Sequence, residues 1–243
     1  QALLAAAFLA ELTGDLPTAE RWAVEALALH RALGDPVGEA VAKHQMGYHA
    51  AEAADWPRAR DLLEESLATF REHGRRNDVL AATRTLAWVY DELGDRDRSR
   101  ALSQRNLAEA RSLGDRVIEA TTLGSITSMF TLPDGDLETA RQDLQAAMRI
   151  WVELGDRIAQ TTDIGRFVDL LLVGGEEELA ARLLASSVRE RAELGAAEQW
   201  VERYNAERRL RLEERLGPDR FAAAWEAGTA MPLDEAVRRA LDA

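Results

Sequence analysis

The side chains best suited to chemistry are four histidines and several acidic clusters, and their spacing favours structural roles. The chain lacks cysteine, which excludes disulfides, thiolate catalysis and zinc–thiolate sites. His44 and His49 are five residues apart, whereas a zinc-binding pair on one helix needs a spacing of four. Ser186 has no neighbouring histidine that could activate it as a nucleophile. We therefore predict a non-enzymatic protein with no cofactor and no bound metal.

Charge restricts the possible partners. The clusters Glu64–Glu65, Asp91–Glu92 and Glu176–Glu178 could act as general acids, but they fit solvated helix faces or helix N-termini, where negative charge is stabilised. The chain has 43 acidic and 30 basic residues, and its formal net charge is −13. Because contact with phosphate backbones requires a basic face, we predict no direct nucleic-acid binding.

No apolar run reaches the ~20 residues that span a membrane, so we expect a cytoplasmic protein without membrane contact.

The elements that carry these residues are marked by glycines about forty residues apart. The first series is Gly34, Gly74, Gly114, Gly155 and Gly195, with steps of 40, 40, 41 and 40. Glycine adopts the left-handed conformation that ends helices. Asp35, Asp115 and Asp156 follow three of these glycines and are predicted N-caps of the next helix.

A second series lies about twenty residues out of phase with the first. It comprises the pairs Gly14-Asp15, Ala54-Asp55, Gly94-Asp95, Gly135-Asp136 and Gly175-Glu176. Four residues after each acidic residue stands a small residue, namely Ala19, Ala59, Ser99, Ala140 and Ala180. A small residue at a fixed place in each unit allows two helices to pack closely.

The segments between these marks have the apolar periodicity of helices, as in Leu63, Leu67 and Phe70, and no strand pattern competes. We predict an all-α chain with five helical hairpins and a C-terminal cap of two or three helices. The hairpins span 1–34, 35–74, 75–114, 115–155 and 156–195, and the cap spans 196–243, with helices near 196–216, 218–228 and 233–242. Four large aromatic residues are assigned to the core: Trp22, Phe70, Trp151 and Phe221.

The repeat unit resembles the tetratricopeptide repeat. The best match combines Met46-Gly47, Asp55-Trp56 and Ala59, and the next repeat carries Leu86-Ala87, Tyr90, Gly94-Asp95 and Ser99. Ser128 and Val168 depart from the family pattern, which has glycine or alanine there, and the period of 40 exceeds the usual ~34. The resemblance implies a right-handed superhelical α-solenoid.

The long repeat and the tail are similar to the C-terminal arrays of large bacterial regulators of the STAND, LuxR and antibiotic-regulatory types. The residues that carry this likeness are Leu216–Gly228, Met231 and Leu233–Val237. The resemblance implies an ATPase and a DNA-binding module elsewhere in a longer protein. The chain begins with Gln1 and carries no glycine-rich phosphate loop that ends in Lys-Ser or Lys-Thr.

In tetratricopeptide arrays the first helix of each hairpin lines a concave groove, and the resemblance assigns residues to it by register. One position falls on Phe8, Tyr48, Trp88, Met129 and Asp169. The position one turn earlier gives Leu4, His44, Arg84, Ser125 and Gly165, and the position three residues later gives Glu11, Ala51, Asp91, Leu132 and Leu172.

From these positions we predict a binding groove for a protein segment or a small effector. Its residues are Phe8, His44, Tyr48, Arg84, Trp88, Asp91, Ser125, Met129 and Asp169. Aromatic rings supply contact area, and a guanidinium holds a carboxylate or a phosphate. The alternative for the aromatic row is packing in the core between repeats.

The combined features predict the sensor or interaction region of a bacterial transcriptional regulator or signal-transduction ATPase. The alternative is a structural scaffold without a small-molecule ligand. In that case the chain would form homo-oligomers through its terminal helices.

Overall fold

The structure is a computed structural model that describes residues 2–243, apart from the side chains of Glu11 and Leu12. Within this range helices alternate with short turns, and no residue lies in a β-strand. The predicted all-α fold is therefore confirmed, and it is consistent with an array of helical repeats. The chain divides into two compact units, one ending at Ile118 and the other beginning at Glu119, so the boundary lies inside the fourth predicted hairpin.

The first unit is a series of antiparallel helices in which each helix packs against the next. Its helices are α1 (Ala2–Leu12), α2 (Leu16–Leu33), α3 (Pro36–Glu52), α4 (Trp56–Glu72), α5 (Arg76–Glu92) and α6 (Arg96–Leu113). Helix α7 (Arg116–Ile126) begins at the end of this unit. The core contains Leu63, Phe70, Leu86 and Val89.

The second unit contains the rest of α7 and a π-helical segment at Thr127–Thr131. It continues with α8 (Leu137–Leu154), α9 (Arg157–Gly174), α10 (Glu177–Leu194), α11 (Gln199–Leu216), α12 (Pro218–Thr229) and α13 (Leu233–Asp242). Helix α10 is central because α9, α11, α12 and α13 all pack against it. Leu144, Met148, Phe167, Leu183 and Phe221 belong to the core of this unit.

The glycines of the first series all lie where a helix ends. Their φ angles are 62°, 64°, 67°, 69° and 70°, which is the left-handed conformation that the sequence predicts for them. The predicted N-caps also show the expected bonds. Asp35 accepts from the Gly38 amide at 2.9 Å, Asp115 from the Ile118 amide at 3.0 Å and Asp156 from the Ala159 amide at 2.9 Å.

The small residue of each repeat lies at a close helix–helix contact. Ala19, Ala59, Ser99, Ala140 and Ala180 are all fully buried. The Ser99 hydroxyl also donates to the Ala87 carbonyl at 2.6 Å and so links α6 to α5. A Cβ atom on Gly47 would stand 2.8 Å from Leu63 Cγ, so α3 and α4 approach closely at this glycine. Larger side chains at these positions would push the helices apart.

The aromatic residues assigned to the core divide into two groups. Phe70, Trp151 and Phe221 are buried, whereas Trp22 is only partly buried. Trp22 lies on α2, whose buried residues are Ala19, Ala23, Ala26 and His30. The alanines bring the backbone close to its neighbours, and the large indole lies at the edge of the contact.

A tight contact fixes the C-terminal helices. A Cβ atom on Gly228 of α12 would stand 2.3 Å from the Arg182 carbonyl oxygen and 2.6 Å from Arg182 Cα on α10. Because those are main-chain atoms, no side-chain rotation can relieve the overlap. Only glycine allows this approach, which holds α12 against the central helix of its unit.

We predict that Ala54→Gly stabilises the first unit. Ala54 has a φ of 57°, whereas its counterparts in the same series are glycines, and the left-handed conformation costs an L-residue about 1–2 kcal/mol. The free energy of unfolding should rise by about 0.5–1 kcal/mol in urea titrations, after the higher chain entropy of glycine is subtracted. Ala53→Gly is the matched control, because Ala53 has a φ of −81° and the change should destabilise. A loss of stability in both variants would contradict the backbone argument.

We predict that Gly228→Ala destabilises the second unit by about 1–3 kcal/mol, because one methyl group overfills the α10–α12 contact. Gly174→Ala is the matched control, since Gly174 ends α9 and a Cβ there meets nothing within 4 Å. This control should be neutral or stabilising, because alanine favours helix over glycine by about 1 kcal/mol. Equal stability of the two variants in thermal unfolding would disprove the close approach.

Candidate functional site

Three aromatic side chains from three helices meet in the first unit. Tyr48 of α3 and Trp88 of α5 have ring centroids 6.5 Å apart, and Trp56 at the start of α4 contacts Trp88 edge-on at 5.5 Å. Trp56 and Trp88 pack one side against the core and remain only partly buried. We call Tyr48, Trp56 and Trp88 the aromatic cluster. The aromatic cluster therefore has one side packed against the core and another side accessible to solvent.

This arrangement concerns the two interpretations of the aromatic row, which are a binding groove and packing in the core between repeats. Tyr48 and Trp88 contact each other, as a row of repeat positions requires, and both retain exposed surface. Phe8, on α1, is 50% exposed. Trp56 was not assigned to the row, although it follows Asp55 in the aspartate–aromatic turn of the repeat. That turn signal could have identified it.

His44 lies one turn before Tyr48 on α3, and its ring packs edge-on against Phe70 at 6.3 Å. Its Nε2 atom is buried and has no hydrogen-bond partner in the described part of the chain. Burial lowers the pKa of His44 to about 4, and the charges of Arg84 and His49 act in the same direction. His44 is therefore neutral at pH 7 and sits beside the Arg84 guanidinium.

Acidic side chains border the same cluster. Trp88 donates its indole N–H to Glu92 at 3.3 Å. Asp91 is partly buried, and desolvation raises its pKa, with a further contribution from Glu92, while Arg96 and Arg100 oppose the shift. The cluster thus has a cationic neighbour in Arg84 and anionic neighbours in Asp91 and Glu92.

The groove positions predicted on the second unit have partners of their own. Arg208 of α11 donates to Asp169 at 2.6 Å through Nη2 and at 3.0 Å through Nε. A Cβ atom on Gly165 would stand 2.7 Å from the same guanidinium, so α11 covers both groove positions of α9. The sequence pattern did not indicate that α11 covers these positions, because Arg208 lies in the C-terminal cap and outside the repeat register.

The two remaining groove residues also lie in the second unit. Ser125 donates its hydroxyl to the Thr121 carbonyl at 2.9 Å, within its own helix. Met129 lies in the π-helical segment and is 9% exposed. The side chain of Glu11, also placed in the groove by register, lies outside the described residues. Of the predicted row, Tyr48 and Trp88 in the first unit come together and keep accessible surface.

Buried polar networks in the second unit had no counterpart in the sequence analysis. Asp163 accepts from the Trp151 indole at 2.9 Å and from Arg166, and desolvation raises its pKa against the opposing effect of Arg166. Arg191 is 1% exposed and binds Glu198. The Trp151–Asp163 bond links α8 to α9, and the Arg191–Glu198 pair links α10 to the start of α11. Arg166 compensates the charge of Asp163 within α9.

No protein-family model matches this chain, and no curated protein matches it. Among the side chains that the structure describes, no three histidine, aspartate or glutamate residues are grouped so that they could hold a metal ion. Of the described helices, none has both the length and the apolar character needed to cross a bilayer.

We predict that His44 makes stability depend on pH. Below its ordinary pKa of 6.5 the unfolded chain binds a proton at His44, whereas the folded chain does so only near pH 4. The free energy of unfolding should therefore fall with decreasing pH in this window, by about 1.4 kcal/mol per pH unit from this one group. Urea unfolding of wild type and His44→Leu between pH 4 and pH 6.5 measures how the free energy of unfolding of each protein depends on pH.

The free energy of unfolding of His44→Leu should change less steeply with pH than that of wild type. Paired carboxylates still contribute to the pH dependence of both proteins. His73→Gln is the control, because it removes an exposed histidine and leaves His44 in place. Identical slopes for wild type and His44→Leu would show that His44 is not held neutral by burial.

Proposed function

We propose that this chain is a non-enzymatic binding module and that the aromatic cluster of the first unit is its contact surface for a protein segment or a small effector. The observation that carries the proposal is the meeting of Tyr48, Trp56 and Trp88 from three helices with their outer sides still accessible. Aromatic side chains of this kind contribute disproportionately to binding energy at protein interfaces.

The charges around the cluster determine which ligands would fit. Arg84 lies one turn before Trp88 and provides a permanent positive charge that can pair with a carboxylate. Asp91 and Glu92 provide negative charge on the following turn. A peptide with an apolar or aromatic anchor and charges of both signs suits this surface better than a uniformly charged partner.

We further propose that the chain is the sensor region of a larger cytoplasmic regulator of bacterial type. The support is the resemblance to tetratricopeptide arrays, together with the tail from Leu216 to Val237 that such regulators share. Binding at the cluster would then favour one state of a switch module elsewhere in the protein, by the difference in affinity between the two states.

We predict that Trp88→Ala and Arg84→Ala weaken the binding of a peptide selected on this chain from a random phage-displayed library. Trp88→Ala should lower the affinity by about 30-fold, the loss expected for a hot-spot residue worth about 2 kcal/mol. Trp200→Ala in the second unit is the matched control, because it truncates another partly buried tryptophan and should leave the affinity unchanged. Fluorescence anisotropy of the labelled peptide gives all the dissociation constants.

Two outcomes would argue against the binding module. Unchanged affinity in both Trp88→Ala and Arg84→Ala would remove the cluster as the contact surface. If light scattering also shows a stable dimer at all concentrations, the chain is the structural scaffold considered as the alternative. A monomer that loses its peptide on Trp88→Ala supports the proposal.

A further inference from the structure

A cavity of about 270 Å³ opens between α4, α5 and α6 of the first unit. Its floor contains Phe70, Thr83 and Asn106, one residue from each helix, and all three are buried. Val79 and Leu102 add partly buried apolar surface. The volume lies just below the ~300 Å³ at which drug-sized pockets begin, so the cavity suits a small molecule. It shares no lining residue with the aromatic cluster.

The rim of this cavity is positively charged. Each helix contributes one exposed arginine: Arg71 from α4, Arg76 from α5 and Arg105 from α6. Within residues 2–243, none of these three side chains forms a hydrogen bond or an ion pair. Glu109 is the single carboxylate among the lining residues. Three uncompensated guanidinium groups around one opening attract an anion.

Arg58 and Arg98, two other arginines of the first unit, have partners within the protein. Arg58 binds Glu20 at 2.5 Å. In a neighbouring depression of about 320 Å³, Arg98 donates to the Tyr90 hydroxyl at 2.8 Å, and that hydroxyl donates to Glu64. The charge of Arg98 is therefore compensated within the protein, whereas the charges of the cavity rim are not.

The start of α5 adds to the positive potential. Gly34, Gly114 and Gly155 are each followed by an aspartate, but Gly74 is followed by Arg75, and α5 has no side-chain cap. Gly74 and Arg76 line the cavity, so the positive end of the α5 dipole borders its opening. Arg75 itself is paired with Asp78 of the first turn at 2.7 Å, so the positive potential at this end comes from the helix dipole and from Arg76.

Thr83 adds a polar group to the cavity lining. The residue is 4% exposed and lines the cavity. Its hydroxyl can donate a hydrogen bond to an oxygen atom of a ligand in the cavity.

We propose that this cavity binds a small amphipathic anion. The carboxylate or phosphate-monoester head lies between Arg71, Arg76 and Arg105, because guanidinium groups bind both oxyanions through paired hydrogen bonds. The apolar body of the ligand covers Phe70 and Leu102. This site is separate from the peptide surface proposed above, and its test does not depend on that surface.

Isothermal titration of the 243-residue chain with four simple probes tests the assignment. Phenyl phosphate and phenylacetate present the two head groups on one apolar body, and the tighter of them identifies the preferred oxyanion. Inorganic phosphate lacks the body, and 2-phenylethanol lacks the charge. We expect saturable one-to-one binding of at least one aromatic anion, with both incomplete probes weaker by about tenfold or more.

Variants separate the cavity from general charge effects. The double variant Arg76→Gln/Arg105→Gln should weaken binding of the preferred anion by about tenfold or more, and Thr83→Val should weaken it several-fold with unchanged circular dichroism. Arg21→Gln is the matched control, because Arg21 is an exposed arginine of the same unit outside the cavity. The proposal fails if neither aromatic anion binds at millimolar concentration, if 2-phenylethanol binds as tightly, or if Arg21→Gln causes the same loss.

Discussion

The structure depends on the close approach of neighbouring helices at positions that hold a small residue. Ala19, Ala59, Ser99, Ala140 and Ala180 have no exposed surface, and each lies near the start of the second helix of its hairpin. A helix that presents alanine to its neighbour can bring the two backbones together, and the larger apolar residues further along then interdigitate. Gly47 and Gly228 extend the same principle to contacts where even a methyl group does not fit.

This packing also determines where binding surface is available. Small residues fill the contact between helices, so bulky side chains lie at its edges and remain partly exposed, as Trp22, Trp56 and Trp88 do. Where three helices meet beyond their small residues, as at α4, α5 and α6, space is left for a cavity. The aromatic cluster and the cavity are thus consequences of the same packing, on different residues of one unit.

Charge distinguishes the two units. In the second unit the buried or half-buried charges are matched: Asp163 with Arg166, Asp169 with Arg208, and Arg191 with Glu198. The Asp169–Arg208 and Arg191–Glu198 pairs connect different helices or a helix and a cap, whereas Asp163 and Arg166 both lie on α9. Losing one partner of any pair would leave an uncompensated charge away from water. In the first unit the cavity rim is not matched, although the chain as a whole is acidic. An excess of arginine at one opening in an acidic chain points to an external anion.

The sequence by itself determined the helical class, the forty-residue period and the turn positions, because glycine conformation, aspartate caps and apolar periodicity act over a few residues. It also brought Tyr48 and Trp88 into one row, since a repeat places equivalent positions side by side. Only the tertiary structure decided that Arg208 covers Asp169 and that Arg71, Arg76 and Arg105 surround one cavity. Those residues lie on different helices at unrelated repeat positions, so their proximity depends on how the helices pack and not on their spacing along the chain.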